Sequence, residues 1–319
     1  MTLRLTVHEP RWREHIQAVA SHYPDIVPVV KGNGYGFRRW NLLPLAAQLS
    51  SEIAVGTVFE ARDMPAGTTP IVLTPTASKP PAQMPSSTIL TVGSVEHVVS
   101  LAQFGWSGNV IVKLQSSMMR YGTTPANLTR LLDEVRSAAL TVVGFSIHPP
   151  LAGDMEKHVK EIEAWLPNIP TDLPLYVSHL DAKPLAHLRK KYPDRKFKIR
   201  LGTALWHGDK SMLHLSADVV DHHPIEANQK AGYRLIPVNG PGEILLIGAG
   251  TAHGVTPLND GRSPFHFQRQ RLNLLEPPHM HTSMLFVARG RPIPPVGAWL
   301  DVQKPLIQVQ VDVLKWTRD

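Results

Sequence analysis

The chain has 319 residues, 43% of them hydrophobic and 18% charged, with no cysteine. This composition folds, which excludes a mainly disordered chain. The missing thiols exclude disulfides, thiolate nucleophiles, cysteine-ligated zinc and iron–sulfur clusters. Lys and Arg outnumber Asp and Glu by 33 to 26, a net charge of +7 that favours anionic ligands or acidic surfaces.

The length suits one large barrel plus a small domain. Residues 1–5, Met-Thr-Leu-Arg-Leu, lack an apolar signal-peptide core. No apolar run approaches the roughly 20 residues of a membrane span, so a cytoplasmic protein without a membrane partner is expected. The densest basic run, Arg189-Lys190-Lys191 with Arg195, Lys196 and Arg200, has little aromatic interleaving. It reads as a solvated helix end and strand entry, and a nucleic-acid partner is not expected.

In chain order, β-branched apolar runs fall at residues 27–31, 53–56, 71–73, 89–92, 110–114, 142–148, 175–178 and 197–200. They are nearly continuous rather than alternating, as strands covered on both faces should be. Helical spacing fills residues 9–23, 95–104, 125–139 and 155–166. Eight strands alternating with helices predict a (β/α)8 barrel of the TIM type. Its weakest unit is the third connection, where Ser78-Lys79-Pro80-Pro81 is too proline-rich for a full helix. After His207 helical periods fade. Strands are expected at 231–238, 243–247, 271–275, 283–287, 299–302 and 307–314, separated by Gly/Pro turns, as in a smaller all-β C-terminal domain. The expected domains are a barrel at 8–215 and a β domain at 216–319, with the strand at 3–7 pairing with the latter.

Barrel chemistry sits at the C-terminal ends of the strands. Lys31, Arg120, His148 and Arg200 fall at or just beyond such ends. A lysine closing an apolar strand is partly desolvated, which lowers its pKa and suits it to a Schiff base; a lysine that has merely reached solvent gives the same pattern.

The segment Val29-Val30-Lys31-Gly32-Asn33-Gly34-Tyr35-Gly36 resembles the cofactor-lysine motif of the alanine racemase family, the fold-type III pyridoxal phosphate (PLP) enzymes. Further resemblances follow in order. Val112-Lys113-Leu114-Gln115-Ser116-Ser117-Met118-Met119-Arg120-Tyr121-Gly122 is similar to the segment whose arginine helps hold substrate, and Lys113 stands where some members carry a carbamylated lysine. Gly144-Phe145-Ser146-Ile147-His148 resembles the segment whose histidine lies against the pyridine ring. Ile199-Arg200-Leu201-Gly202-Thr203 resembles the one that meets the pyridine nitrogen and the phosphate. The resemblance implies covalent PLP on Lys31. It implies Tyr35, His148, Ser178, Arg200, Gly202 and Thr203 around the cofactor, and Arg120 with Met284 at the substrate carboxylate. It also implies an amino-acid substrate and a homodimer whose sites are completed by the neighbour. Lys31 would move the Cα proton on one face, while an arginine at the pyridine nitrogen moderates the electron sink.

Two departures stand out. The family's second base is a tyrosine in a Gly-Tyr-Ala-Asp-Gly-like motif; here Gly250-Thr251-Ala252-His253-Gly254 puts Thr251 in its place and His253 in that of the aspartate. A threonine hydroxyl is a poor acid or base near neutral pH, whereas a free imidazole changes charge there, so His253 is either a proton carrier or a plain turn residue. Second, Pro277-Pro278-His279-Met280-His281 faintly resembles the metal-binding stretch of the D-threonine aldolase branch. Histidines two apart on a strand share a side, but two ligands do not make a site, and no metal is expected. Three readings follow. The first is a PLP-dependent amino-acid racemase. The second is a relative without the second base that performs another Cα reaction, with decarboxylation disfavoured by the missing cysteine. The third is a PLP carrier whose basic surface binds an acidic partner.

Overall fold

A computed structural model describes residues 2–318 of the chain. Strand β1 (Leu3–His8) leads into helix α1 (Glu9–His22), which carries Glu9 in its first turn and His22 in its last, each matched to the helix dipole. Tertiary contacts divide the chain into two units. One comprises Ile16–Gly34 and Arg39–Trp206, and the other Met1–His15, Tyr35–Arg38 and His207–Asp319.

The first unit is a parallel barrel. Its strands are β2 (Ile26–Pro28), β3 (Glu52–Val55), β4 (Thr69–Val72), β5 (Leu90–Val92), β6 (Asn109–Lys113), β7 (Thr141–Ser146), β8 (Leu175–Val177) and β9 (Phe197–Leu201). Ladders join β5 through β9 in sequence, β9 to β2, and β3 to β4. Single parallel bridges, Val29 to Ala54 and Ile71 to Ile89, close the ring. All eight strands fall on the apolar runs, and most of their residues are buried, as the near-continuous patterns require.

The helices between strands are α2 (Arg39–Leu49), α3 (Val95–Gln103), α4 (Pro125–Ser137), α5 (Met155–Glu163) and α6 (Ala182–Lys191), with the short α7 (Thr203–Trp206) after β9. Between β4 and β5, where the prolines cluster, there is no helix. Three helices lie outside the predicted stretches: α2, α6 and the four-residue α7. Helix α2 contains Pro44, which removes one intrahelical donor and reads as a break. Burial of Leu42, Leu43 and Ala46 holds it nonetheless. Helix α6 is short, with only Leu185 and Leu188 buried, and its end carries Arg189-Lys190-Lys191 ahead of β9.

The second unit is mainly antiparallel. Its strands are β1, β10 (Leu213–Ile225), β11 (Lys230–Ala231), β12 (Ile236–Pro237), β13 (Gly242–Ile247), β14 (Phe265–Phe267), β15 (Gln270–Arg271), β16 (Asn273–Leu274), β17 (Ser283–Ala288), β18 (Trp299–Val302) and β19 (Val313–Thr317). The sheet runs β15-β14-β18-β10-β13-β17-β16, and β1 pairs with β10 and β19. The long β10 is the spine. A register shift between Val219 and Asp221 bends it between its partners and erases the period-two alternation that would have revealed it in sequence. The strand expected at 307–314 is corrected. Leu306–Gln308 is a 3-10 turn and pairing begins only at Val313, because the apolar run is divided by the turn rather than extended through it. The strand expected at 231–238 is a hairpin of two short strands, turned at Gly232, where φ is +79°.

Candidate active site

The strand ends of the barrel gather basic groups. Val29 N–H bonds to the Leu201 carbonyl (2.8 Å) and Val30 N–H to the Ala54 carbonyl (2.8 Å), so Lys31 is the first residue beyond the ladder. The Nε1 of Trp206 donates to the Val29 carbonyl (2.8 Å), which fixes α7 beside that end. Arg200 is buried at the end of β9. Its Nη2 donates to the Ile147 carbonyl (2.6 Å), while its buried Nε has no hydrogen-bond partner among the described residues. Beyond β7, His148 Nδ1 lies 2.5 Å from the hydroxyl of buried Ser178, and its ring sits 4.5 Å from that of His179. Ser116 Oγ donates to the His148 carbonyl (2.7 Å), which ties the loop after β6 to the one after β7. That loop returns on itself through Gly122, whose φ is +125° and where a Cβ would lie 2.5 Å from Gln115 N. The close turn brings Arg120 back over the barrel end, exposed, with its guanidinium 5.0 Å from the Tyr121 ring centre. Gly202 and Thr203 open α7, where the Gly202 carbonyl accepts from Leu205 N–H and Trp206 N–H.

The electrostatics are those of an anion site. Burial lowers the Lys113 ammonium far below its ordinary value, and Arg200 and Arg120 lower it further. Lys31 is exposed, yet desolvation, Arg120 and Arg200 lower its pKa, with only Glu60 opposing. Burial, Arg200 and Lys113 keep His148 neutral. Arg200 itself is brought down to about 10 by burial and Arg120. Arg120, two lysines with depressed pKa and a neutral imidazole are therefore arranged around the buried Arg200 guanidinium with its unused N–H. Glu60 and the contribution of His179 were not legible in the sequence. Glu60 acts on Gly32 and Gly56 through backbone bonds, and His179 through ring packing.

The other expected residues lie in the β unit. Tyr35 is buried at φ +57°; its carbonyl accepts from His207 Nε2 (2.7 Å) and its ring meets the His207 ring edge-on. Thr251 is exposed, and its hydroxyl donates to the His279 carbonyl (3.2 Å). His253 is buried with both ring nitrogens engaged: Nδ1 accepts from Gly250 N–H (3.1 Å) and Nε2 lies 3.1 Å from the Asp312 carboxylate. Met284 packs against the apolar cluster of Ile225, Val238 and Ile244. His279 and His281 do not share a strand face. They lie in an irregular segment, the first bonded to Glu276 (2.7 Å) and the second edge-on to His253. Among the described residues no three His, Asp or Glu side chains converge as metal ligands, and no helix is long and apolar enough to cross a membrane.

This barrel with its basic strand-end cluster, accompanied by a β unit, belongs with the fold-type III architecture. The sequence profile described as "Alanine racemase, N-terminal domain" matches residues 7–184, more than half the chain, and the chain belongs to the alanine racemase family. It is 26% identical over 235 residues to the alanine racemase of Campylobacter jejuni subsp. doylei, covering 69% of this chain and 67% of that protein. Its fold is that of the alanine racemase from E. faecalis (TM-score 0.72, 18% identity, 99% of this chain and 98% of that one). It is also that of the Bartonella henselae alanine racemase, solved with covalently bound pyridoxal phosphate (TM-score 0.71, 17% identity, 96% and 91%). The residues present fit that group. The orphaned N–H of Arg200 matches an unprotonated pyridine nitrogen as acceptor, and the surrounding positive charge matches a phosphate.

Proposed function

We propose that this chain is a PLP-dependent amino-acid racemase, with Lys31 as the covalent anchor and proton transfer at Cα as the reaction. The observation that carries this reading is the basic cluster around buried Arg200 with its unpartnered Nε. Arg200 would hold the pyridine nitrogen and His148, oriented by Ser178, would pack against the ring. The N–H groups at Gly202 and Thr203 would take the phosphate. Arg120 would bind the substrate carboxylate, with Met284 of the partner subunit completing its pocket. When bound, PLP supplies the electron sink that makes the Cα–H bond acidic.

The depressed pKa of Lys31 leaves more of its amine neutral near pH 7, so it can take or return the Cα proton on one face. Buried Lys113, whose amine burial pushes toward its neutral form, is chemically suited to add CO2 and release a proton; the resulting carbamate would orient Arg120. Inversion requires a proton on the opposite face, and Thr251 and His253 are the candidates. Thr251 has the wrong acidity, and His253 must first break its bond to Asp312. That engagement favours a second reading, in which Cα protons exchange faster than the centre inverts. In either case the substrate is an α-amino acid and the enzyme a homodimer.

Lys31→Ala should abolish the visible absorbance of lysine-bound PLP after dialysis, along with Cα exchange. A normal band retained by that variant would sink the assignment.

A further inference from the structure

Beside Lys31 stands a carboxylate that the reaction described above does not use. Glu60 closes the short 3-10 turn Val58–Glu60 after β3. Its Oε1 accepts from Gly32 N–H (3.1 Å), the first amide beyond Lys31, and its Oε2 from Gly56 N–H (2.7 Å), just past the end of β3. Arg39 at the start of α2 donates to the Glu60 carbonyl, so backbone and carboxylate are both held. Gly56 provides the space: a Cβ there would lie 3.0 Å from Glu60 Oε2 and 3.3 Å from Lys31 Cβ. The carboxylate and the lysine stem therefore flank the same bare Cα. The charged groups facing the Lys31 amine are Arg120, Arg200 and Glu60, the last being the only anion among them.

We propose that Glu60 is a positioning residue for Lys31, fixing the Lys31–Gly32 turn across two strand ends and supplying the one negative charge that offsets Arg120 and Arg200 at the amine. The inference rests on Lys31 being the reactive amine of the Proposed function and adds the group that sets its geometry and protonation. A carboxylate stabilises the ammonium, so its loss lets the two arginines drive the proton off at lower pH. Gly56→Ala acts on the same pair differently: its methyl group pushes the carboxylate away while leaving the charge in the protein.

The test titrates Lys31 in the full-length chain without PLP, by competitive acetylation with acetic anhydride across pH and mass spectrometry of the Lys31 peptide. Lys198, whose Nζ pairs with Glu52 at 2.6 Å elsewhere in the barrel, is the internal reference. Glu60→Gln should lower the Lys31 midpoint by about one pH unit, a roughly ten-fold gain in free amine, with Lys198 unmoved. Gly56→Ala should shift it in the same direction, and this variant decides the question if Glu60→Gln does not fold. An unchanged Lys31 midpoint in a folded variant, or an equal shift at Lys198, would overturn the proposal. Because no cofactor is present, this outcome is separate from that of Lys31→Ala, which tests the anchor itself.

Discussion

At the scale of single residues, the site is a set of positive charges held together at a cost until an anion arrives. Arg200 is buried with an idle N–H, and it lowers the pKa of Lys31, Lys113 and His148. A base whose folded pKa is depressed binds fewer protons folded than unfolded. Between the folded value of Lys113 and its ordinary 10.5, the ligand-free protein should therefore gain stability as pH rises. Arg200→Met should flatten that slope and leave the ligand-free melting temperature nearly unchanged, since relief of repulsion offsets the lost bond to the Ile147 carbonyl. PLP affinity should fall ten-fold or more, about 1.4 kcal/mol. Thermal melts across pH, with and without PLP, check this; unchanged affinity beside a large loss of ligand-free stability would contradict it. Lys31, His148 and Arg200 were legible because each ends an apolar run. Glu60 was not, because its partners are amides 28 and 4 residues away, and backbone donors carry no side-chain signature.

At the scale of elements, short loops set the geometry. The loop that returns Arg120 to the barrel end is pinned by Gln115 N–H to the Thr123 carbonyl (2.9 Å) and Thr123 N–H to the Lys113 carbonyl (2.9 Å). Gly122 sits inside that clasp with positive φ. Gly122→Ala combines backbone strain with a clash against main-chain atoms, and should cost about 1–3 kcal/mol. Through Arg120 it should raise KM for the amino acid more than it lowers kcat. Steady-state kinetics with a melting curve decide; wild-type KM and stability would show that the loop does not place Arg120. The barrel strands could be read from sequence because both faces are buried and the apolar runs are continuous. Strand β10 could not, since its register shift mixes exposed histidines and aspartates into the pattern, and α2 hid behind Pro44.

At the scale of the whole molecule, the β unit exposes large apolar side chains, among them Tyr233 (85%), Leu235 (62%) and Met280 (68%), of the kind a second copy would cover. Light scattering should give the mass of two chains, and a monomer with full activity would contradict the shared-site reading. With Lys31 proposed as the proton carrier on one face of Cα, the other face is poorly served. The most direct measurement incubates the PLP-loaded protein with L-alanine in heavy water, scoring deuterium at Cα and product chirality together. Lys31-dependent deuterium incorporation should outpace inversion, with Thr251→Tyr narrowing the gap. No exchange above that of Lys31→Ala would contradict it.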